Sequence, residues 1–320
     1  MIPKKDKIPV TIITGFLGSG KTSLLNFLIA ENPGRKFAII ENEFGDIAID
    51  QDLVVNAENG IFELTNGCIC CSLNVELGKL LQRLIEGHYH FDHLIIETTG
   101  IAEPYGIAAA FLGEGKGTRF QLDATICLAD ALHVEENLEE RGEAVKQITF
   151  ADVILMNKTD LVNEKSLKKT REILRRFNPD AKIVESEYGR APLAGILDIN
   201  AYKGKQLEKT LYRLDSSHNY DAMVAHSFHF GEPLDHSKFK HWIQMLLFLS
   251  GYQIYRVKGL LNFEGSAERM IFQSVRSSIQ METGSHWKAG EKRVSKIVFI
   301  GYSVKKEPIE KGLKGCIYSS

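Results

Sequence analysis

Eight residues near the start of the chain, Gly15-Phe16-Leu17-Gly18-Ser19-Gly20-Lys21-Thr22, constrain its fold more than any other stretch. They satisfy the pattern G-x-x-x-x-G-K-S/T in full. Val10-Thr11-Ile12-Ile13 before them is a β-branched run suited to a buried parallel strand. Ser23 to Ile29 after them has the apolar recurrence of a helix. A strand, a glycine-rich turn and a helix in that order build an anion cradle, because backbone N–H groups converge at the helix N-terminus. Gly15, Gly18, Ser19, Gly20, Lys21, Thr22 and Ser23 are therefore candidates for holding the phosphates of a nucleotide. Lys21 supplies a point charge and the Thr22 hydroxyl a ligand for Mg²⁺.

Alternating strand and helix signals continue to about residue 185, predicting a doubly wound, mostly parallel α/β sheet. Strands are expected at 36–40, 93–96, 124–129, 152–156 and 182–185, and helices at 77–85 and 166–177. A change of pattern then predicts a linker over 206–222. It separates a nucleotide-binding domain, 1–205, from a smaller α+β domain, 223–320, with strands at 224–230, 252–261, 270–279 and 296–302 and helices at 238–249 and 308–313. A chain of 320 residues accommodates both domains. Its 39 basic and 41 acidic residues leave a net charge of −2, which argues against a nucleic-acid surface. No apolar run reaches the ~18 residues of a membrane span, and the first residues lack a signal-type apolar core, so a cytoplasmic protein is expected.

Two strand ends add nucleotide chemistry. Asn157-Lys158-Thr159-Asp160 matches N-K-x-D, in which a carboxylate accepts from the ring N–H and 2-amino groups that guanine has and adenine lacks. Asp160 is the base reader. Lys158 covers the ring with its stem, and Asn157 either contacts the base or ties its loop to the phosphate loop. Glu97-Thr98-Thr99-Gly100 ends the strand expected beside the phosphate-loop strand. Glu97 is placed to hold Mg²⁺ through water, and Gly100 to let a main-chain N–H reach the γ-phosphate.

Five cysteines are present, and three of them crowd into Asn66-Gly67-Cys68-Ile69-Cys70-Cys71. Thiolates suit Zn²⁺ and other late divalent metals. Two thiolates with a Glu or His from elsewhere make an easier site than three neighbouring cysteines, and Glu41 and Glu43 lie at the mouth of the neighbouring strand. A turn of buried thiols and a redox dithiol are the competing readings. Cys127 lies in an apolar run and reads as an inert buried thiol, and Cys316 has no evident partner. His88, His90 and His93 form the one local histidine cluster and read as a solvated loop.

GFLGSGKT, ENEFGD at 41–46, NGCICC at 66–71, ETTGIAEP at 97–104 and NKTD together resemble the CobW-like family of metal-linked P-loop GTPases, most closely its YjiA-type subgroup. Arg256-Val257-Lys258-Gly259, Phe272-Gln273-Ser274-Val275 and Val298-Phe299-Ile300-Gly301 are similar to the C-terminal domain of that family. The resemblance implies a GTPase that binds GTP/GDP and Mg²⁺ and couples them to transfer of Zn²⁺, or Co²⁺, to a client protein. It assigns Cys68, Cys70, Cys71 and Glu41 to the transition metal. Slow turnover is expected, with Lys21 and Glu97 in the catalytic site and Glu43 or Asp46 as the only candidates for activating water. The histidine-rich loop of many relatives has no counterpart here. A monomer, or a dimer that depends on nucleotide or metal, fits equally. The second domain shows no catalytic constellation and is expected to recognise the recipient or a second copy, or simply to cover the sheet. A nucleotide-dependent interaction module and an ATP- or GTP-using kinase-like enzyme are the alternatives.

Overall fold

The computed structural model describes residues 7–42, 54–56, 61–66, 73–87, 89–100, 103–112, 119–140, 142–193, 195–202, 218–220, 223–250, 253–288 and 290–319. Cys68, Cys70, Cys71, Glu43, Asp46 and His88, and most of the expected linker, lie outside them, as does the side chain of Glu41. Two compact units emerge, Met1–Phe111 with Gly115–Asn200, and Leu112–Glu114 with Ala201–Ser320.

The first unit is built on an eight-stranded sheet. Its strands are β1 (Ile8–Gly15), β2 (Phe37–Asn42), β3 (Val54–Asn56), β4 (Ile61–Asn66), β5 (His93–Glu97), β6 (Phe120–Asp130), β7 (Val153–Asn157) and β8 (Lys182–Glu185). Their order is β3-β4-β2-β5-β1-β6-β7-β8. All pairings are parallel except that of β3 with β4. Parallel strands covered on both faces read as unbroken apolar runs, and β7, Val-Ile-Leu-Met-Asn, is buried throughout. Alternation then divides β6 between two cores. Ile126 and Leu128 pack with Leu24 and Leu28 of α1 (Lys21–Ala30). Cys127 and Ala129 pack with α4 (Val134–Glu140), α5 (Gly142–Phe150) and α6 (Glu164–Phe177). The remaining helices of the unit are α2 (Leu73–Glu86) and the short α3 (Pro104–Ala109).

Successive crossovers place β2 and β5 on one side of β1 and β6 and β7 on the other. The chain thus reverses direction across the sheet at β1, the place where open α/β sheets bind ligands beyond their strand ends. Strand β4 is absent from the sequence expectation. It lies parallel to β2 with Glu41 opposite Thr65 and Asn42 opposite Asn66, so β4, after which the cysteines come in sequence, ends beside the end of β2.

The second unit is a six-stranded antiparallel sheet of β9 (His218–Tyr220), β10 (Met223–Phe230), β11 (Ile254–Leu261), β12 (Glu268–Val275), β13 (Ser278–His286) and β14 (Ser295–Tyr302), ordered β13-β12-β11-β14-β10-β9. One face carries α7 (His236–Ser250) and α8 (Lys306–Gly315). Phe239 is fully buried at their junction, with the rings of Phe263 and Phe272 edge-on to it at 5.7 and 5.5 Å. The strand expected over 270–279 is the beginning of a hairpin, turned at Arg276, whose φ is 47°.

Candidate nucleotide site

Local strain makes the phosphate loop. Gly15, Gly18 and Gly20 all have positive φ, and Gly20, at 103°, stands where helix α1 begins with no side-chain cap. A methyl group on Gly20 would lie 2.4 Å from Asn157 Nδ2, so the position admits glycine alone. The uncapped first-turn N–H groups of α1 are left for an anion. Ser19 Oγ is buried with no hydrogen-bond partner among the described residues. A phosphate oxygen would satisfy it. Lys21 is buried, with Nζ donating to the main-chain oxygens of Gly15 at 3.0 Å and Phe16 at 3.4 Å. Burial lowers its pKa, and the nearby Glu97 carboxylate partly offsets that effect.

The Thr22 hydroxyl donates to Glu97 Oε1 at 3.3 Å, joining the two residues expected to hold magnesium. Both are hard oxygen donors at one edge of the cradle, a donor type that fits Mg²⁺. Thr98 fixes the strand end by donating to Thr14 Oγ1 at 3.0 Å, and its N–H reaches Ile13 O at 2.9 Å. Two residues on, Gly100 lies against the loop main chain. A methyl group there would be 2.6 Å from Leu17 N. Glu41, Glu97 and Thr65 stand level across β2, β5 and β4, so the backbone of the carboxylate expected for the transition metal adjoins the strand of the one expected for magnesium.

On the other side, Asn157 ties loops together. Its Nδ2 donates to Ser19 O at 2.8 Å, while its Oδ1 accepts from Ser186 Oγ at 3.1 Å and Gly189 N at 3.0 Å. Of the two roles expected for Asn157, this is the tie to the phosphate loop. Lys158 has φ 61° and donates to Asp130 Oδ2 at 2.7 Å. Burial raises the Asp130 pKa, but the hydrogen bonds from Lys158, His133 and Leu132 N outweigh it and hold the carboxyl below its usual range. Asp160 is exposed on the short 3₁₀ turn Thr159–Leu161. Ser23 is likewise exposed, in the first turn of α1.

Asp130 and the Ser186–Gly189 loop were missed by the sequence reading. Asp130 is the last residue of β6 and the loop follows β8 at the same sheet edge, which is the only signal that marks them. His93 corrects the histidine expectation. It opens β5 fully buried, between Thr11 Oγ1 at 2.8 Å and Arg35 Nη2 at 2.6 Å. Cys127 is inert as expected, its thiol pushed up to about 12 by burial. Cys316 is also buried, with Sγ donating to Gly312 O at 3.2 Å. Among the described residues, no group of three or more His, Cys, Asp or Glu is arranged to hold a metal ion, and no helix is long and apolar enough to cross a membrane.

Residues 9–185 match the CobW/HypB/UreG nucleotide-binding domain family, and residues 223–317 match the cobalamin synthesis protein cobW C-terminal domain. The chain belongs to the CobW family. It is 35% identical over 321 residues to the zinc chaperone YjiA of Escherichia coli (strain K12), covering 96% of this chain and 98% of that protein. It is 31% identical over 317 residues to the zinc-regulated GTPase metalloprotein activator 1 of Schizosaccharomyces pombe, covering 86% and 77%. The crystal structure of Zn(II)-bound YjiA GTPase from E. coli aligns with a TM-score of 0.76 at 30% identity, covering 98% of this chain and 99% of that one. A Zn(II)-bound triple mutant of YjiA, with one Glu and two Cys changed to Ala, aligns equally well.

Proposed function

We propose that this protein is a GTP-hydrolysing zinc chaperone, in which nucleotide state governs the capture of Zn²⁺ and its release to a client protein. The observation that carries the reading is one shared sheet edge. Thr22 and Glu97 meet there at 3.3 Å, and Glu41 is level with Glu97 on the adjoining strand. In this reading Lys21 and the loop amides bind the β- and γ-phosphates, and Asp160 selects guanine. Thr22 and Glu97 hold Mg²⁺, which supplies charge neutralisation for phosphoryl transfer to water. Glu43 remains the proposed water-orienting residue, and turnover is slow without a partner group. Cys68, Cys70, Cys71 and Glu41 bind Zn²⁺ as cargo, with Co²⁺ a chemical substitute. Since the segments bearing these ligands follow strands beside the γ-phosphate, GTP orders them and hydrolysis releases them. The protein works in the cytoplasm without nucleic acid or membrane, as a monomer or a ligand-dependent dimer. The domain limits proposed for it are 1–205 and 223–320.

The test is Co²⁺ titration of the full chain followed by optical spectroscopy, with and without GTP. Thiolate charge-transfer bands should appear, respond to nucleotide, and vanish in Cys70→Ala. Charge transfer is the readout of choice over total zinc, because the YjiA triple mutant lacking a Glu and two Cys is still Zn(II)-bound. Absence of the bands removes the metal assignment, and bands indifferent to GTP remove the coupling.

A further inference from the structure

Helix α7 has a second apolar surface. Its inward stripe of Phe239, Ile243 and Leu247 is buried in the core of its unit. On its other side Met245, Phe248 and Leu249 are 46%, 79% and 63% exposed. At about 100° per residue, positions 238, 241, 245, 248 and 249 share that outward side. The stripe runs from Lys238 and His241, both exposed, to three large apolar residues. With ~200 Å² available on each free side chain, the apolar end presents on the order of 300–400 Å², a size that in monomers is often functional.

The charge around it leans basic. His236–Ser250 contains Lys238 and Lys240, and His236 and His241, but no Asp or Glu. Asp235, just before the helix, accepts from Lys238 N at 2.9 Å and so serves as its cap. Lys306, Lys311 and Lys314 of α8 outnumber Glu307 and Glu310, and Glu310 is paired with Lys314 at 2.7 Å. A basic helical layer on a chain of net charge −2 is a local asymmetry.

We infer that this stripe of α7 docks an acidic amphipathic helix of a partner protein. The partner's apolar side chains would rest on Met245, Phe248 and Leu249, and its carboxylates would face Lys238 on the stripe and Lys240, exposed on the flank near the start of the helix. This is the helix-against-apolar-surface mode, with a soft methionine at its centre. A second copy of α7 brings no carboxylate to those lysines. A bilayer-binding helix flanks its apolar stripe with basic residues along its length, whereas here charge and apolar surface succeed one another along the stripe.

The probe is a fluorescein-labelled synthetic helical peptide with a Leu/Phe stripe flanked by Glu, titrated against the full chain by anisotropy. Saturable binding is expected, weakened about tenfold or more in Phe248→Ser with Leu249→Ser, and about threefold or more, with reduced salt dependence, in Lys238→Glu with Lys240→Glu. All four residues are exposed, so unchanged tryptophan fluorescence from Trp242 and Trp287 and unchanged GTP binding serve as folding controls. Failure of the peptide to bind overturns the proposal, as does equal binding of a peptide with Lys in place of Glu. Phosphatidylserine vesicles that bind through Phe248 reassign the surface to membrane. A dimer in sedimentation velocity that Phe248→Ser dissociates reassigns it to self-association.

Discussion

His93 links stability of the nucleotide-binding unit to pH, and the size of the link follows from its surroundings. Burial, followed by the adjacent Arg35 guanidinium, lowers its pKa from 6.5 to about 3. The neutral ring accepts from Arg35 at Nδ1 and donates to Thr11 Oγ1 at Nε2, while Arg35 is held by both oxygens of Asp198 at 2.7 and 2.8 Å. Between the two values the unfolded chain binds the proton and the folded one does not. The stability is therefore complete above the unfolded pKa and is lost as pH falls towards the folded one. Going from about pH 7 to about pH 5, His93 alone should remove about 2 kcal/mol. The perturbation is His93→Gln, which keeps a donor and an acceptor but does not titrate. Both tryptophans, Trp242 and Trp287, belong to the other unit, so their fluorescence is the wrong probe. Hydrogen exchange of peptides covering Ile8–Gly15 and His93–Glu97 reports the right one. After correction for intrinsic exchange, the wild type should lose about 30-fold more protection than the variant over this interval. Asp123, whose pKa burial raises, acts in the opposite sense and cancels in the comparison. Equal loss in both proteins would refute the reasoning.

Four other outcomes are expected. Asn157→Ala breaks three buried hydrogen bonds and should cost about 2–3 kcal/mol together with most nucleotide affinity, measured by denaturation and by fluorescent-nucleotide titration. Asp160→Asn, at an exposed position, should leave stability within about 0.5 kcal/mol while moving preference from GTP to xanthosine triphosphate, measured by competition. Gly20→Ala should abolish nucleotide binding, because its methyl group has no room beside Asn157; wild-type affinity in calorimetry would contradict this. Nucleotide affinity should fall as pH rises through the lowered pKa of Lys21, since bound phosphates favour its charged form, and Lys21→Arg should flatten that profile.

Much of the first unit was legible because its central strands are buried on both faces and carry little polar interruption. The phosphate loop was legible because its glycines and Lys21 are local requirements. β4 was missed because Ile61-Phe62-Glu63-Leu64-Thr65-Asn66 sits towards the sheet edge and alternates apolar with polar residues. Helix α4, Val-Glu-Glu-Asn-Leu-Glu-Glu, offers too few apolar positions for a period to show. The β12–β13 turn has Arg276 where glycine or asparagine would announce it. The His93 network was invisible for another reason. Thr11, Arg35, His93, Asp123 and Asp198 are far apart in sequence, and only the sheet assembles them.

The position of β1 has an evolutionary consequence. To one side lie β6, β7 and β8, which end in Asp130, the Asn157–Asp160 turn and the Ser186 loop. To the other lie β5, β2 and β4, which end in Glu97, Glu41 and the start of the cysteine stretch. In the proposed function, the phosphate loop is the hinge line between a half that would read the base and a half that would handle cargo. The hydrogen bonds of Asn157 and Lys158 draw on Ser19, Asp130, Ser186 and Gly189, none of them between Asn42 and Leu73, so in that reading the cargo half would change while they stay in place. On that reading, a lineage built on this sheet would be free to change its metal without relearning its nucleotide.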